Sequence, residues 1–174
     1  MALRIERLSS DANGRADRLR ELVALLRDAV DDGASVGFLA PFDETLANTY
    51  WNERLREAAL GKRVILAALE DDTIVGSVQL VFAAQQNGRH RAEVQRLIVR
   101  RDCRKRGIAA HLMARVDDVA RENGRTLLVL NTRSDDGPEL FYQHLGYSSA
   151  GRIPDFARNP DGTFNTTTIM WRRL

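Results

Sequence analysis

The sequence predicts an α+β fold: one mixed, mostly antiparallel central sheet of about six to seven strands, flanked by about four helices. Two observations carry that reading. Apolar residues switch repeatedly between strand-like alternation and helical spacing along the 174 residues. In addition, three strand-like runs follow one another between positions 63 and 99, separated only by turn signals, and the third feeds a basic, glycine-containing turn that opens a long amphipathic helix. No Gly/Ser tract, long charge block or internal repeat interrupts the chain. Residues 1–174 therefore read as a single domain, large enough for a full hydrophobic core.

Taken in order, residues 3–8 alternate apolar and polar and predict a first strand. From Ala16 to Val30, the residues Leu19, Leu22, Val23, Leu26, Ala29 and Val30 recur at helical spacing. An apolar loop with two glycines runs from Gly33 to Pro41, and a second helix is expected from about Asp43 to Leu60, stopped by Gly61. The three strands are Arg63–Leu69, Thr73–Phe82 after the turn Glu70-Asp71-Asp72, and Arg91–Val99 after Asn87-Gly88. Ile108, Leu112, Met113, Val116, Val119 and Ala120 line one face of a third helix, which ends at Asn123-Gly124. Thr126–Leu130 is a short buried strand. Pro138 suits the first turn of a fourth helix that runs to His144 or Leu145 and closes at Gly146. Two last strands, about Tyr147–Ile153 and Asn165–Trp171, stand on either side of Asn159-Pro160-Asp161-Gly162, a strong turn signal. The strand–helix–strand segment from 91 to 130 is expected to be one right-handed parallel crossover.

The bulk numbers exclude several function classes. A formal net charge of +2 is too small for a general nucleic-acid polycation, so no nucleic-acid partner is expected. The single Cys103 rules out an internal disulfide framework and fits a reducing compartment. The first ten residues lack the apolar core of a secretory signal, and no apolar run is long enough to span a membrane; together these point to a cytoplasmic protein. His90, His111 and His144 have no metal-ligand spacing with Asp or Cys, so no metal is expected.

The basic turn is the most informative local feature. Arg104-Lys105-Arg106-Gly107-Ile108-Ala109 follows the apolar run Leu97-Ile98-Val99 and precedes the third helix. Such a turn offers free backbone N–H groups beside the positive end of a helix dipole, and glycine lets a ligand approach the backbone closely. Arg100, Arg101, Arg104, Lys105 and Arg106 form a local patch that fits a compact anionic ligand. Cys103 sits beside this turn, and no Cys-His-Asp ordering supports it as a nucleophile.

These residues resemble the acetyl-CoA motif of the GNAT superfamily, Gln/Arg-x-x-Gly-x-Gly/Ala, here Arg104-x-x-Gly107-x-Ala109. The order of elements agrees along the whole chain. More narrowly, Gly33-Ala34-Ser35-Val36-Gly37-Phe38, Arg91-Ala92-Glu93-Val94-Gln95-Arg96-Leu97 and the tail with Pro160-Asp161-Gly162 resemble the tabtoxin-resistance acetyltransferases. The resemblance implies an N-acetyltransferase that uses acetyl-CoA. It implies pyrophosphate contacts from the backbone of Arg104, Lys105, Arg106, Gly107, Ile108, Ala109 and Ala110. It also implies pairing of Leu97, Ile98 and Val99 with the amide-rich pantetheine arm, as an added strand would pair.

Acetyl transfer needs a neutral amine, a stabilised carbonyl oxygen and a departing thiolate. The resemblance implies that Tyr142, on the fourth helix, hydrogen-bonds the leaving sulfur; the plain alternative is a core aromatic beside Phe141. It implies that Glu93 takes the amine proton, directly or through water; the plain alternative is a solvent-facing strand carboxylate. Gln95 shares a face with Glu93 and is a candidate for substrate binding or for packing. Asn131 stands where the tabtoxin-resistance group leads one to expect an aspartate base. An amide orients water or substrate but takes no proton at that site, which raises Glu93 by comparison. Ser35 and Phe38 are candidates to wall the acceptor pocket, and Asp155 and Phe156 are weaker candidates, read by default as surface connection. The acceptor implied is a small-molecule amine, such as an amino-acid-like toxin or antibiotic. A protein or peptide amine is the alternative acceptor, and a non-catalytic CoA-binding regulatory module is the alternative class. The two terminal strands also allow a homodimer.

Overall fold

Each periodic segment becomes the element its spacing dictates. The computed structural model describes residues 3–8, 15–159 and 161–174. Its elements are β1 (Arg4–Arg7), α1 (Arg15–Asp31), α2 (Glu44–Ala59), β2 (Arg63–Glu70), β3 (Thr73–Phe82), β4 (Arg91–Val99), α3 (Ile108–Glu122), β5 (Leu127–Arg133), α4 (Gly137–His144), β6 (Ser148–Arg158) and β7 (Phe164–Arg173). The ends carry the expected chemistry. Asp43 caps α2 by accepting from the Leu46 N–H at 2.9 Å, and Asp136 accepts from the Gly137 N–H at 2.7 Å just before Pro138. Gly124, at φ 65°, follows the Asn123 cap of α3.

The strands form one sheet in the order β1-β2-β3-β4-β5-β7-β6. Every neighbouring pair is antiparallel except β4 and β5, the two ends of the expected crossover. One face packs on α1 and α2, with Leu22, Leu26 and Trp51 fully buried against Ile65, Ala67, Leu69, Ile74 and Ile98. The other packs on α3, with Leu112, Met113 and Val116 against Leu66, Val78, Leu80, Ala92 and Val94, and with Tyr142 and Tyr147 at one side. Burying each such apolar side chain contributes roughly 1.5–3 kcal/mol.

Two departures from the expected layout matter. β6 runs on past Ile153 to Arg158, so Asp155 and Phe156 lie in a strand rather than in a connection. The register of β6 on β7 shifts between Ile153 and Ala157, where Asp155 adopts φ 53°. The turn closes through the Asn159 N–H to the Thr163 carbonyl at 2.7 Å, with Gly162 at φ 88°; Pro160 lies outside the described residues.

The second departure positions the site. β4 and β5 pair only over Arg91–Glu93 and Leu127–Val129. Beyond that point β4 stays with β3, and β5 stays with β7 as far as Arg133 opposite Thr167. The sheet therefore opens into a gap between its two halves. In the same stretch β4 carries a bulge: Gln95 faces Gln79, Ile98 faces Ser77, and Arg96 takes φ 48°. The bulge inverts the strand's facing, so that Ala92 and Val94 lie with the α3 core whereas Ile98 lies with the α1/α2 core.

Candidate active site

The gap holds a cavity of about 380 Å³. Glu93, Gln95, Arg96 and Leu97 of β4 form one wall, Asn131 and Arg133 of β5 another. Tyr142 of α4 closes one side, the loop 34–37 covers a second, and Phe156 and Ala157 of β6 a third. Six residues singled out in the sequence converge here besides Ser35: Glu93, Gln95, Leu97, Asn131, Tyr142 and the weaker candidate Phe156. Ser35 belongs also to a neighbouring cavity of about 210 Å³, bounded by loop 33–39, Arg133, Ala157, Arg158 and Asn159.

Tyr142 is held rigidly. Its ring meets Phe141 and Tyr147 edge-on, with centroids 5.4 and 5.7 Å away, and the residue is 9% exposed. Among the described residues no protein group hydrogen-bonds its hydroxyl. Burial holds that hydroxyl well above the ordinary tyrosine range, so it stays protonated and acts as a hydrogen-bond donor. Glu93 is half-buried at the last position of β4 paired with β5, and no protein partner meets its carboxylate among the described residues. Asn131 is exposed in the gap. Phe38 lines the neighbouring cavity and packs with Phe42 and Tyr50, at centroid distances of 6.4 and 5.5 Å. Ile98 points into the α1/α2 core, so only its backbone faces the gap's edge, and Val99 packs against the α3 core.

The basic turn departs from its expected electrostatics. Arg100 pairs with Asp102 at 2.7 Å, Arg101 with Asp28 at 3.0 Å, Arg104 with Asp32, and Arg106 with Glu70 through two bonds of 2.6 and 3.1 Å. Only Lys105 of this cluster has no acidic partner among the described residues. The anion-binding capacity therefore rests in the backbone. Lys105 at φ 60° and Gly107 at φ 79° turn the chain, and the first helical bond of α3 is the His111 N–H to the Gly107 carbonyl at 3.1 Å. No side chain caps α3. Among the described residues the N–H groups of 105–110 meet no protein acceptor, which is the donor set a pyrophosphate requires.

Arg96 and Arg133 line the cavity and are absent from the candidates read from the sequence, whereas Phe156, a weaker candidate there, does line it. A signal for Arg96 exists. Core residues step by two from Ala92 to Val94 and then by three to Leu97, which marks the bulge.

Comparisons with known proteins bear on the family and the fold. The model of the acetyltransferase (GNAT) family matches residues 28–147. An uncharacterized N-acetyltransferase from the hisH-hisA intergenic region of Azospirillum brasilense is 31% identical over 117 residues, covering 66% of this chain and 68% of its own. The structure of the ribosomal-protein-alanine N-acetyltransferase from Brucella melitensis superposes with a TM-score of 0.77 at 19% identity, over 98% of this chain and 99% of that one. A Salmonella typhimurium protein solved with its cofactor acetyl-CoA gives a TM-score of 0.77 at 18% identity, over 100% and 95%. At such identities the structural matches speak for the fold.

Proposed function

The chain belongs to the acetyltransferase (GNAT) family, and from that premise we propose that it moves the acetyl group of acetyl-CoA directly to the amine of a small molecule. The observation that carries this reading is the convergence of Glu93, Asn131 and Tyr142 on a walled gap beside a turn of unpartnered amides. Acetyl-CoA, when bound, supplies the acetyl group as a thioester. The N–H groups of residues 105–110 hold its pyrophosphate, whereas the Arg104 N–H, expected in that set, is given to the Arg101 carbonyl at 3.3 Å. The unpaired edge of β4 at Leu97, Ile98 and Val99 hydrogen-bonds its pantetheine amides. A backbone N–H near Ile98, at the bulge, meets the negative charge that develops on the carbonyl oxygen. Glu93 takes the amine proton through water, and Asn131 orients that water. Tyr142 donates a hydrogen bond to the leaving sulfur.

The covered cavity favours a compact acceptor over a polypeptide. Its about 380 Å³ lies in the range of small-molecule sites, and loop 34–37 and Phe156 are among its walls. The resemblance to the tabtoxin-resistance group extends the proposal to an amino-acid-like toxin or antibiotic, acted on in the cytoplasm. The edge strand β6, exposed along almost its whole length, is where we expect a second copy to pair in a homodimer. Release of free CoA, followed with a panel of small amines and a panel of peptides, tests the function. Turnover of small amines is expected. Turnover of peptides alone would assign a protein acceptor, and tight acetyl-CoA binding without turnover of either panel would assign a regulatory module.

A further inference from the structure

We propose that Arg96 is the anion-binding residue of the acceptor pocket, and that the acceptor carries a carboxylate or an equivalent oxyanion beside its amine. This rests on the small-molecule reading above.

Arg96 is delivered to the cavity by an irregularity. At φ 48° it occupies the left-handed region inside a strand, a conformation that L residues hold only when their surroundings impose it. Its head is fixed from behind. Nε donates to the Val36 carbonyl at 3.0 Å, and the guanidinium lies 4.3 Å over the Tyr50 ring. Tyr50 is itself anchored: its hydroxyl accepts from Gln79 Nε2 at 2.8 Å, Gln79 Oε1 accepts from Arg63, and Arg63 pairs with Glu57 at 2.6 Å. The covering loop passes close to the head at residue 37, a glycine at φ 80°. A Cβ there would lie 2.8 Å from Arg96 Nη2.

The charge on this fixed group is unanswered. Among the described residues no carboxylate pairs with Arg96, although the other cavity arginine, Arg133, has Asp136 at 3.6 Å. A half-buried guanidinium that keeps free N–H groups in a cavity is a fork for a planar oxyanion. Glu93, the cavity's other unpartnered charge, lies three residues away, on the far side of the bulge. A cation site and an anion site on one wall match an acceptor that presents an amine to Glu93 and an oxyanion to Arg96.

The test uses amino acids, their decarboxylated amines and their aminophosphonate analogues as acceptors for the full-length protein with acetyl-CoA. The acid-bearing member of a matched pair should be favoured about 10- to 100-fold in kcat/KM, carried by KM. The carboxylate and phosphonate arms tell which oxyanion fits. Arg96→Gln should collapse the preference, and Arg96→Lys, which keeps the charge but not the fork, should restore part of it. Acetyl-CoA affinity, measured by calorimetry, should be unchanged in both. A preference for decarboxylated amines in the wild type overturns the proposal, as does an unchanged preference in either folded variant. If no small amine turns over while peptides do, the small-molecule reading itself fails and takes this subsite with it.

Discussion

Replacing Tyr142 with phenylalanine removes one atom from a site whose geometry is otherwise preserved. The ring stays wedged between Phe141 and Tyr147, and the missing hydroxyl has no protein partner among the described residues. No hydrogen bond within the fold is lost, so thermal stability should hold or rise slightly. The effect on turnover follows from the hydroxyl's acidity. Burial pushes it well above the usual tyrosine value of about 10, whereas a thiol titrates near ~8.5. Full proton transfer from this tyrosine to the departing thiolate is therefore uphill, and its contribution is a hydrogen bond to a developing charge.

Such a bond contributes about 1.5–3 kcal/mol, which corresponds to a loss of roughly 10- to 150-fold in kcat. Full general-acid catalysis spans about 10²- to 10⁴-fold, so a loss near the top of that range would mean that the proton does move. The assay is steady-state release of free CoA with saturating amine, paired with calorimetric titration of acetyl-CoA, whose Kd should stay within about twofold. A kcat within about twofold of wild type would refute the assigned role.

Three other perturbations follow from the same structure. Gly107→Glu should weaken acetyl-CoA binding at least about 100-fold: a Cβ there meets only the His111 ring at 3.6 Å, so the damage comes from a carboxylate facing the amide cradle and from the left-handed φ of 79°. Gly107→Asn, which tolerates that conformation, should retain measurable binding, and tight binding by the Glu variant in calorimetry would defeat the backbone cradle. Glu57→Ala should cost about 2–4 kcal/mol in denaturant unfolding, because it strips the carboxylate from Arg63, a side chain only 5% exposed; Glu57 is itself 32% exposed, which keeps the cost below that of a fully buried pair. Burial also raises the Tyr142 and Tyr147 hydroxyls, so their stabilisation is complete below the unfolded value of ~10 and is lost as pH rises from there through the folded values. Unfolding measured across the alkaline range should show that decline, and the double Phe variant should flatten it.

The parts of this molecule that local rules govern were legible in the sequence. Leu19 to Val30 and Ile108 to Ala120 could only be amphipathic helices, and the turn at Gly107 announced its amides because no other residue type holds that backbone as cheaply. Glu93, Asn131 and Tyr142 were found by motif position, and the structure brings all three to one cavity. What local rules missed was set by partners far away in the chain. The arginines around the turn looked like an anion patch, yet Asp28 of α1, Asp32 just after it and Glu70 of β2 neutralise three of them. β6 outran its predicted end because β7 stayed available to pair beyond the irregularity at Asp155.

Arg96 shows why the acceptor side is harder to read than the donor side. Its position in the sequence is that of an ordinary strand residue, and its role depends on three separate segments: a bulge that turns it, a ring from α2 that supports it, and a covering loop that passes close to it at a glycine. On the proposed reading the donor is recognised by backbone groups, which a short motif specifies. The acceptor is recognised by side chains whose charge counts only when nothing else in the fold answers it. By that measure the turn arginines are spent on the fold's own carboxylates. Within the cavity, Arg96 and Glu93 are the charges left unpaired among the described residues, and on the proposal above a ligand that satisfies both is zwitterionic.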